Sequence, residues 1–335
     1  MIADPLPPTQ SAPVGRPEAE PGETIFVNRN WPDSSPVFSV LVPVYHHDPS
    51  LLIEALGKCQ NASLSELIFY DDGTDDHVLT ARLERALEHF PGAGVLVTAA
   101  QNKGRSTGRN RLQRLARADW MIFLDADMIP DDQAFLERYL NLIDRESRPL
   151  LAVGGFSLDQ VMPDASTQLH WKQCETSECL PADIRNENPG RFVFTSNVLV
   201  HKDVMAAVPF DDAFVGWGWE DVDWGLRANQ QFSVLHIDNT ATHVGLDTPR
   251  ILLRKYGKSG ENFWLAAERH PDELRDTSLY KWADKLSHLP GLPVLRRASA
   301  MICQLPGWIA PVRLRLLALK LYRAAVYGEA RRARD

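Results

Sequence analysis

Three apolar runs, two of which break off into acids, constrain this chain most. They are FSVLVPVY over residues 38–45, ELIFYDDG ending at Gly73, and DWMIFLDADMI beginning at Asp119. Runs of this length without polar alternation fit strands buried on both faces. Between them lie segments with helical spacing: the stretch through Leu56, residues 77–90 (HVLTARLERALEHF) and Asn110 to Ala118. VLVTAA supplies a further strand after the Pro91-Gly92 turn. Strand and helix in alternation predict an α/β chain with a largely parallel sheet. The acids then collect at the carboxyl ends of the strands, which is the edge where open sheets of this kind take their ligands.

Composition narrows the classes. The 335 residues are 44% hydrophobic and 24% charged, which suits one large folded domain or two smaller ones. A net charge of -8 argues against nonspecific nucleic-acid binding. The cysteines Cys59, Cys174, Cys179 and Cys303 form no CxxC pair, so neither a structural zinc site nor a disulfide framework is expected, and a reducing compartment is. The opening MIADPLPPTQSAP has neither a basic start nor an apolar core, and no run of 18 apolar residues follows. Secretion and membrane spanning are therefore not expected.

Four regions are predicted. Residues 1–36 hold eight of the 23 prolines and read as an extended arm draped over a surface, with the folded part starting at Val37. Residues 37–160 form the first half of the fold, with a helix near 132–144 and the apolar segment LLAVGGFSL. Residues 161–260 form the second half. Within and just before it, residues 159–190 are weakly periodic and expected to be a mobile or substrate-shaping insertion, FVFTSNVLVHKD returns to strand character, and EDVDWGLRA caps a helix with Glu220 and Asp221 in its first turn. Residues 261–335 are a helical, basic extension. From residue 291 onward nine Lys or Arg face two Asp or Glu, and VRLRLLALKLYRAAVY mixes aliphatic and basic residues. That segment suits an anionic membrane surface, although Arg315 interrupts its apolar face; docking on the acidic remainder of the chain and an oligomer contact are the other readings.

Asp125 and Asp127, one residue apart at a strand end, can hold a hard divalent cation while a diphosphate supplies further oxygens; two acids in a surface turn are the plain alternative. In Tyr70-Asp71-Asp72-Gly73-Thr74-Asp75 a carboxylate can accept hydrogen bonds from a nucleobase. Lys103, Arg105 and Arg109 add donors for phosphate or for an acidic loop.

These features, VLVPVYH, YDDGTDD, NKGRSTGRN and LDAD in that order over residues 37–160, resemble the family 2 glycosyltransferases of the GT-A fold. The resemblance implies a Rossmann-like mixed central sheet flanked by helices. It also implies a nucleotide-sugar site at Pro43, Tyr45, Asp71, Asp72, Lys103, Arg105, Arg109 and Asp125, with Asp125 and Asp127 at the metal. The later FVGWGWEDVDWGLR is similar to the acceptor motif of β-1,4-galactosyltransferases, polypeptide N-acetylgalactosaminyltransferases and chondroitin-polymerase-like enzymes. By that resemblance Glu220 lies at the acceptor, Asp221 is the general base of an inverting transferase, and His243 joins the metal. Trp217, Trp219 and Asp223 are expected against the acceptor, while Trp224 stacks on sugar or packs beneath the loop.

The expectation is an inverting transferase using Mn²⁺ or Mg²⁺ and a UDP-sugar, with galactose or N-acetylgalactosamine favoured. It would extend an oligosaccharide or lipid-linked acceptor in the cytoplasm, peripheral to the inner membrane, without nucleic acid as a partner. A retaining GT-A enzyme and a non-catalytic glycan-binding protein are the alternatives.

Overall fold

A computed structural model describes residues 16–334; the first fifteen residues of the proline-rich arm and Asp335 lie outside the described residues. The chain opens with β1 (Glu23–Val27) and β2 (Phe38–Val44), followed by α1 (Ser50–Gly57) and β3 (Ser65–Asp71). Next come α2 (His77–Glu88), β4 (Ala93–Ala99), α3 (Arg105–Leu115), β5 (Trp120–Leu124), the short β6 (Met128–Pro130) and α4 (Phe135–Arg145). The three apolar runs become β2, β3 and β5, which are buried along nearly their whole length, as strands covered by helices on both faces must be.

The second half contains β7 (Leu150–Val153), β8 (Phe156–Ser157), α5 (Gln168–Ser177), α6 (Ala182–Asn186), β9 (Asn197–His201) and α7 (Lys202–Ala207). It continues through α8 (Glu220–Asn229), β10 (Ser233–His236) and β11 (Ala241–His243). Six helices close the described residues: α9 (Pro249–Tyr256), α10 (Gly260–Arg269), α11 (Pro271–Leu274), α12 (Ser278–Ser287), α13 (Leu292–Gln304) and α14 (Val312–Arg334).

Eight strands make one mixed sheet in the order β1-β4-β3-β2-β5-β9-β7-β10, and β6-β11-β8 make a small second one. The pairs β4-β3, β3-β2 and β2-β5 are parallel, whereas β9 runs antiparallel to both β5 and β7. This is the expected mixed α/β architecture with a C-terminal helical extension. One apolar cluster fills each face of the sheet, and a third, built on Phe263, Trp264, Tyr256 and Tyr327, joins the extension to the sheet domain.

Three expectations change. The sheet begins at Glu23, not at Val37: β1 adds antiparallel to the β4 edge, Glu23 pairs with Arg111 at 2.8 Å, and Trp31 lies under the Arg117 guanidinium. A five-residue strand with a charged start shows no pattern until an edge is there to receive it. The helix expected from Asn110 begins at Arg105, because RSTG is a weak helix sequence whose turn is fixed from outside. Residues 159–190 contain two short helices, α5 and α6, and α5 packs on α14 and α9.

Candidate active site

The strand ends of β3, β2 and β5 stand side by side, so Asp71 and Asp125 lie two strand spacings apart, roughly 10 Å. Asp71 accepts from the Thr74 backbone N–H at 3.0 Å. Asp72 accepts from the backbone N–H groups of Lys103 at 2.7 Å and Gly104 at 2.9 Å, which pins the start of α3. Burial pushes the Asp72 carboxyl up, and those two N–H groups oppose it. Gly104 takes φ +92° there, a conformation that costs a side-chain-bearing residue heavily.

Pinning α3 in this way aims its arginines at the acids. Arg109 is buried, with Nη2 3.3 Å from Asp125 Oδ1 and Nη1 3.6 Å from Glu220 Oε1. Arg105, more exposed, reaches Glu220 at 3.7 Å. Two segments far apart in sequence thus share one guanidinium, the metal-type acid Asp125 on one side and the GWGWED loop on the other. Lys103 instead turns its ammonium toward Glu20 and Glu23, at 3.7 and 3.8 Å.

Asp127 follows β5 closely and meets His243, the last residue of β11, at 3.3 Å between Oδ2 and Nε2. Burial works to raise the Asp127 carboxyl, but the hydrogen bond and charge of His243 outweigh it and hold it well below the usual carboxylate range. Burial works to lower His243, and the same partner raises it. Its other nitrogen, Nδ1, is buried without a partner. Carboxylate oxygens and an imidazole are a donor set that suits Mn²⁺ or Mg²⁺. Gly245 makes room for this pair: a Cβ there would stand 2.0 Å from Asp127 Oδ2.

Sequence reasoning missed His170 and Cys174, which α5 brings beside His243 so that ligand atoms of the three lie within 4.8 Å of one another. His170 is drawn down to about 3, by burial first and then by His243 and Lys255, and its Nδ1 accepts the Asp247 backbone N–H at 2.6 Å. Burial and Glu178 raise the Cys174 thiol, so it stays protonated. The His170 and His243 rings meet edge to face, 5.4 Å between centroids.

The GWGWED loop is the most strained backbone in the site. Gly216 and Gly218 have φ of +86° and +92°, and Trp219, with no such freedom, sits at +78°. The extension holds it there. Trp219 Nε1 donates to Tyr327 Oη of α14 at 3.1 Å, its ring packs on Phe263 of α10, and Asn262 Nδ2 donates to the carbonyls of Val215 and Gly218. Asn262 and Tyr327 carry no motif signal, since they hold the loop from helices distant in sequence.

Helix α8 starts from that loop with three acids in its first turn, where the helix dipole favours them. They face different ways. Asp221 looks into the cleft, where its Oδ2 accepts from Thr195 N and Oγ1 at 3.4 and 3.3 Å. Glu220 is buried; burial and the Asp221 charge raise its carboxyl against the pull of Arg105 and Arg109, and its Oε2 has no partner.

Asp223 is a correction. It is fully buried away from the cleft, bonded to Arg227 at 2.7 Å, His270 at 3.0 Å and Arg269 at 3.3 Å, so it anchors α8 and does not face an acceptor. Two residues past Asp221 on a helix, its side chain is turned to the opposite side. Trp224 likewise is core, donating to Val208 O at 2.7 Å.

Between these groups runs a cleft of about 500 Å³ lined by Arg105, Asp125, Asp127, Glu220, Asp221 and His243, with Trp217 and Trp219 on its wall. The far side comes from Lys255 and Tyr256 of α9 and from Thr277, Arg323 and Tyr327 of the extension. Pro43, Tyr45, Asp71, Asp72 and Lys103 lie outside its walls, at the neighbouring strand ends, and Tyr45 is exposed. The acids and bases that do meet come from separate segments of the chain: α3, the end of β5, the start of α8 and β11.

Residues 39–174 match the family described as glycosyl transferase family 2. Over 239 residues, 57% of this chain, the sequence is 24% identical to an uncharacterized glycosyltransferase, YfnE, of Bacillus subtilis (strain 168); the chain spans 60% of that relative's length. Among solved structures, the mannosyltransferase PcManGT from Pyrobaculum calidifontis, in complex with GDP-Man and Mn2+, has a TM-score of 0.57 at 14% identity, over 89% of this chain and 90% of that one. S. aureus TarS 1–349 in complex with UDP-GlcNAc has a TM-score of 0.48 at 14% identity, over 88% and 92%. The structural likeness is one of fold, and the family match covers the strand and helix alternation of the first half together with the acid-tipped sheet edge.

Proposed function

We propose that the protein is an inverting, metal-dependent glycosyltransferase that moves a hexose or N-acetylhexosamine from a nucleoside-diphosphate sugar, UDP-linked first, to a glycan or lipid-linked glycan. The observation that carries this is a single cleft with Asp127 and His243 at one place, Asp221 at another, and Trp217 and Trp219 on the wall. The nucleotide half is assigned to residues 37–160, with Asp71 and Asp72 beside the base, and the acceptor half to residues 161–260.

Asp127, His243 and Asp125 would hold Mn²⁺ or Mg²⁺, which when bound offsets the charge of the departing diphosphate. Asp221 takes the proton of the acceptor hydroxyl as that oxygen attacks the anomeric carbon and the bond to the diphosphate oxygen breaks, so configuration inverts. Glu220, locked by Arg105 and Arg109, accepts a hydrogen bond from the acceptor and keeps the loop in register with the donor acids. Trp217 and Trp219 offer flat apolar surface to sugar faces. The galactosyltransferase-like loop favours galactose or N-acetylgalactosamine. PcManGT is described with GDP-Man, so mannose and GDP-linked donors belong in the comparison.

The test is turnover of UDP- and GDP-sugars with Mn²⁺, reading nucleoside diphosphate released against intact donor lost, then the anomeric proton coupling of the product by NMR. One preferred donor and an inverted product are expected. A product of retained configuration would remove Asp221 from the role of base.

A further inference from the structure

Among the described residues, half of the large apolar side chains that stand exposed fall within one stretch, residues 282–317. They include Val294 and Met301 on α13, at 69% and 68% exposure, Trp308 and Ile309 in the turn after it, at 85% and 50%, and Leu314 and Leu317 at the start of α14, at 47% and 54%. Single exposed leucines are ordinary, but a grouping of this density around one helical hairpin marks a surface meant to be covered.

Charge identifies what covers it. From Lys285 through Gly328 the chain contains no acidic residue. Arg297, Arg313 and Lys320 are exposed on the same two helices, and none of them pairs with an acid among the described residues. A hairpin that is apolar at its tip and cationic at its sides, with no acid of its own from Lys285 through Gly328, matches the interface of an anionic bilayer, in which aliphatic groups and tryptophan enter the boundary and Lys and Arg meet the headgroups. No helix among the described residues is long and apolar enough to cross a membrane, so the contact would be peripheral.

Arg315, which spoils the amphipathic pattern on paper, is no obstacle. It points inward, buried, and its Nε donates to the Cys303 carbonyl at 3.1 Å, tying the two helices together. The lipid-facing groups therefore come from α13 and the turn as much as from α14.

We propose that the tip of the α13-α14 hairpin, Met301 through Leu317, docks this protein on an anionic lipid surface. The hairpin also has an orientation relative to the cleft. Gln168 Oε1, at the start of α5, lies 3.7 Å from where a side chain on Gly307 would begin, and α5 carries His170 and Gln173 into the cleft wall. Met162, 90% exposed, stands in the loop just before α5. A protein seated on this tip brings the cleft edge near the headgroups, which suits an acceptor held on lipid. Only that last step rests on the transferase reading; the docking itself does not.

The experiment is co-sedimentation of the full chain with vesicles of phosphatidylcholine alone and of phosphatidylcholine with phosphatidylglycerol. Wild type should sediment with the anionic vesicles and remain in solution with the neutral ones. Trp308→Ser combined with Ile309→Ser, and separately Arg313→Gln combined with Lys320→Gln, should each lower partitioning by about tenfold or more while leaving the melting temperature and soluble-donor turnover as in wild type. All four side chains are solvent-exposed, so folding should not depend on them. Wild type that stays in solution with both vesicles, or an apolar pair variant that binds as wild type does, overturns the proposal. So does a wild-type dimer in solution that Trp308→Ser turns into a monomer, since the patch would then cover itself. Loss of vesicle binding with turnover intact leaves the transferase reading standing; turnover absent with binding intact fails that reading and leaves this one.

Discussion

Replacing Asp223 with Asn tests whether this acid is an anchor and not an acceptor contact. Its carboxylate is fully buried and takes three charged or ring N–H donors, from Arg227, His270 and Arg269. Removing one member of a buried ionic cluster costs about 3–5 kcal/mol. Two features reduce that here: Arg227 and Arg269 are 26% and 32% exposed, and Arg269 keeps Asp211 at 2.8 Å, so both can be partly resolvated. A loss of about 2–3 kcal/mol is expected. An unfolding entropy of about 2.1 cal/mol/K per residue over this chain makes that a fall of roughly 3–4 °C in Tm.

The pH dependence follows from the sign of the shift. Burial tends to raise the Asp223 carboxyl, but His270, Arg227 and Arg269 outweigh it and hold it below its ordinary value of 3.8. Its stabilisation is therefore complete above about pH 4 and is lost as pH falls through the lower folded value. Thermal melts of wild type and Asp223→Asn should stand apart at neutral pH and converge in acid below about pH 4. Transfer measured well below the melt should stay within a few-fold of wild type. A variant that melts with wild type at neutral pH, or that loses transfer without losing stability, would refute the anchoring role.

Asp221→Asn should lower kcat by about 10² or more while donor affinity holds, because a base acts only in the transition state; a rate near wild type would exclude it. Asp127→Asn and Gly245→Ala should both weaken Mn²⁺-dependent UDP binding by about tenfold or more in calorimetry, the first by removing an oxygen and the second by pushing that oxygen out of place. Wild-type affinity in Gly245→Ala would mean that the Asp127 carboxylate has another position from which to serve. Tyr327→Phe should reduce transfer by freeing Trp219 from its strained backbone, with a smaller effect on UDP affinity; equal loss of both would point to general unfolding of the extension.

The buried strands and their acid ends were readable because each is a local signal: a continuous apolar run followed closely by a carboxylate. Glu220 and Asp221 were readable as acids at a helix start. Asp223 was misplaced because two residues of a helix turn a side chain by more than half a revolution, and nothing local says which side faces the cleft. His170, Asn262 and Tyr327 gave no signal at all. Each meets the site through a residue distant in sequence, respectively His243, Gly218 and Trp219.

The sequence by itself determined the alternation of strand and helix, the clustering of acids at one sheet edge, and the basic, acid-poor character of the final helices, since all three are set by neighbours along the chain. Tertiary structure decided which acids meet. Arg109 joins Asp125 to Glu220, β11 delivers His243 to Asp127, and α10 and α14 hold Trp219 in a backbone shape it would not keep alone. Those choices belong to packing, because a buried charge or a strained turn is stable only where separate segments converge to pair it or brace it.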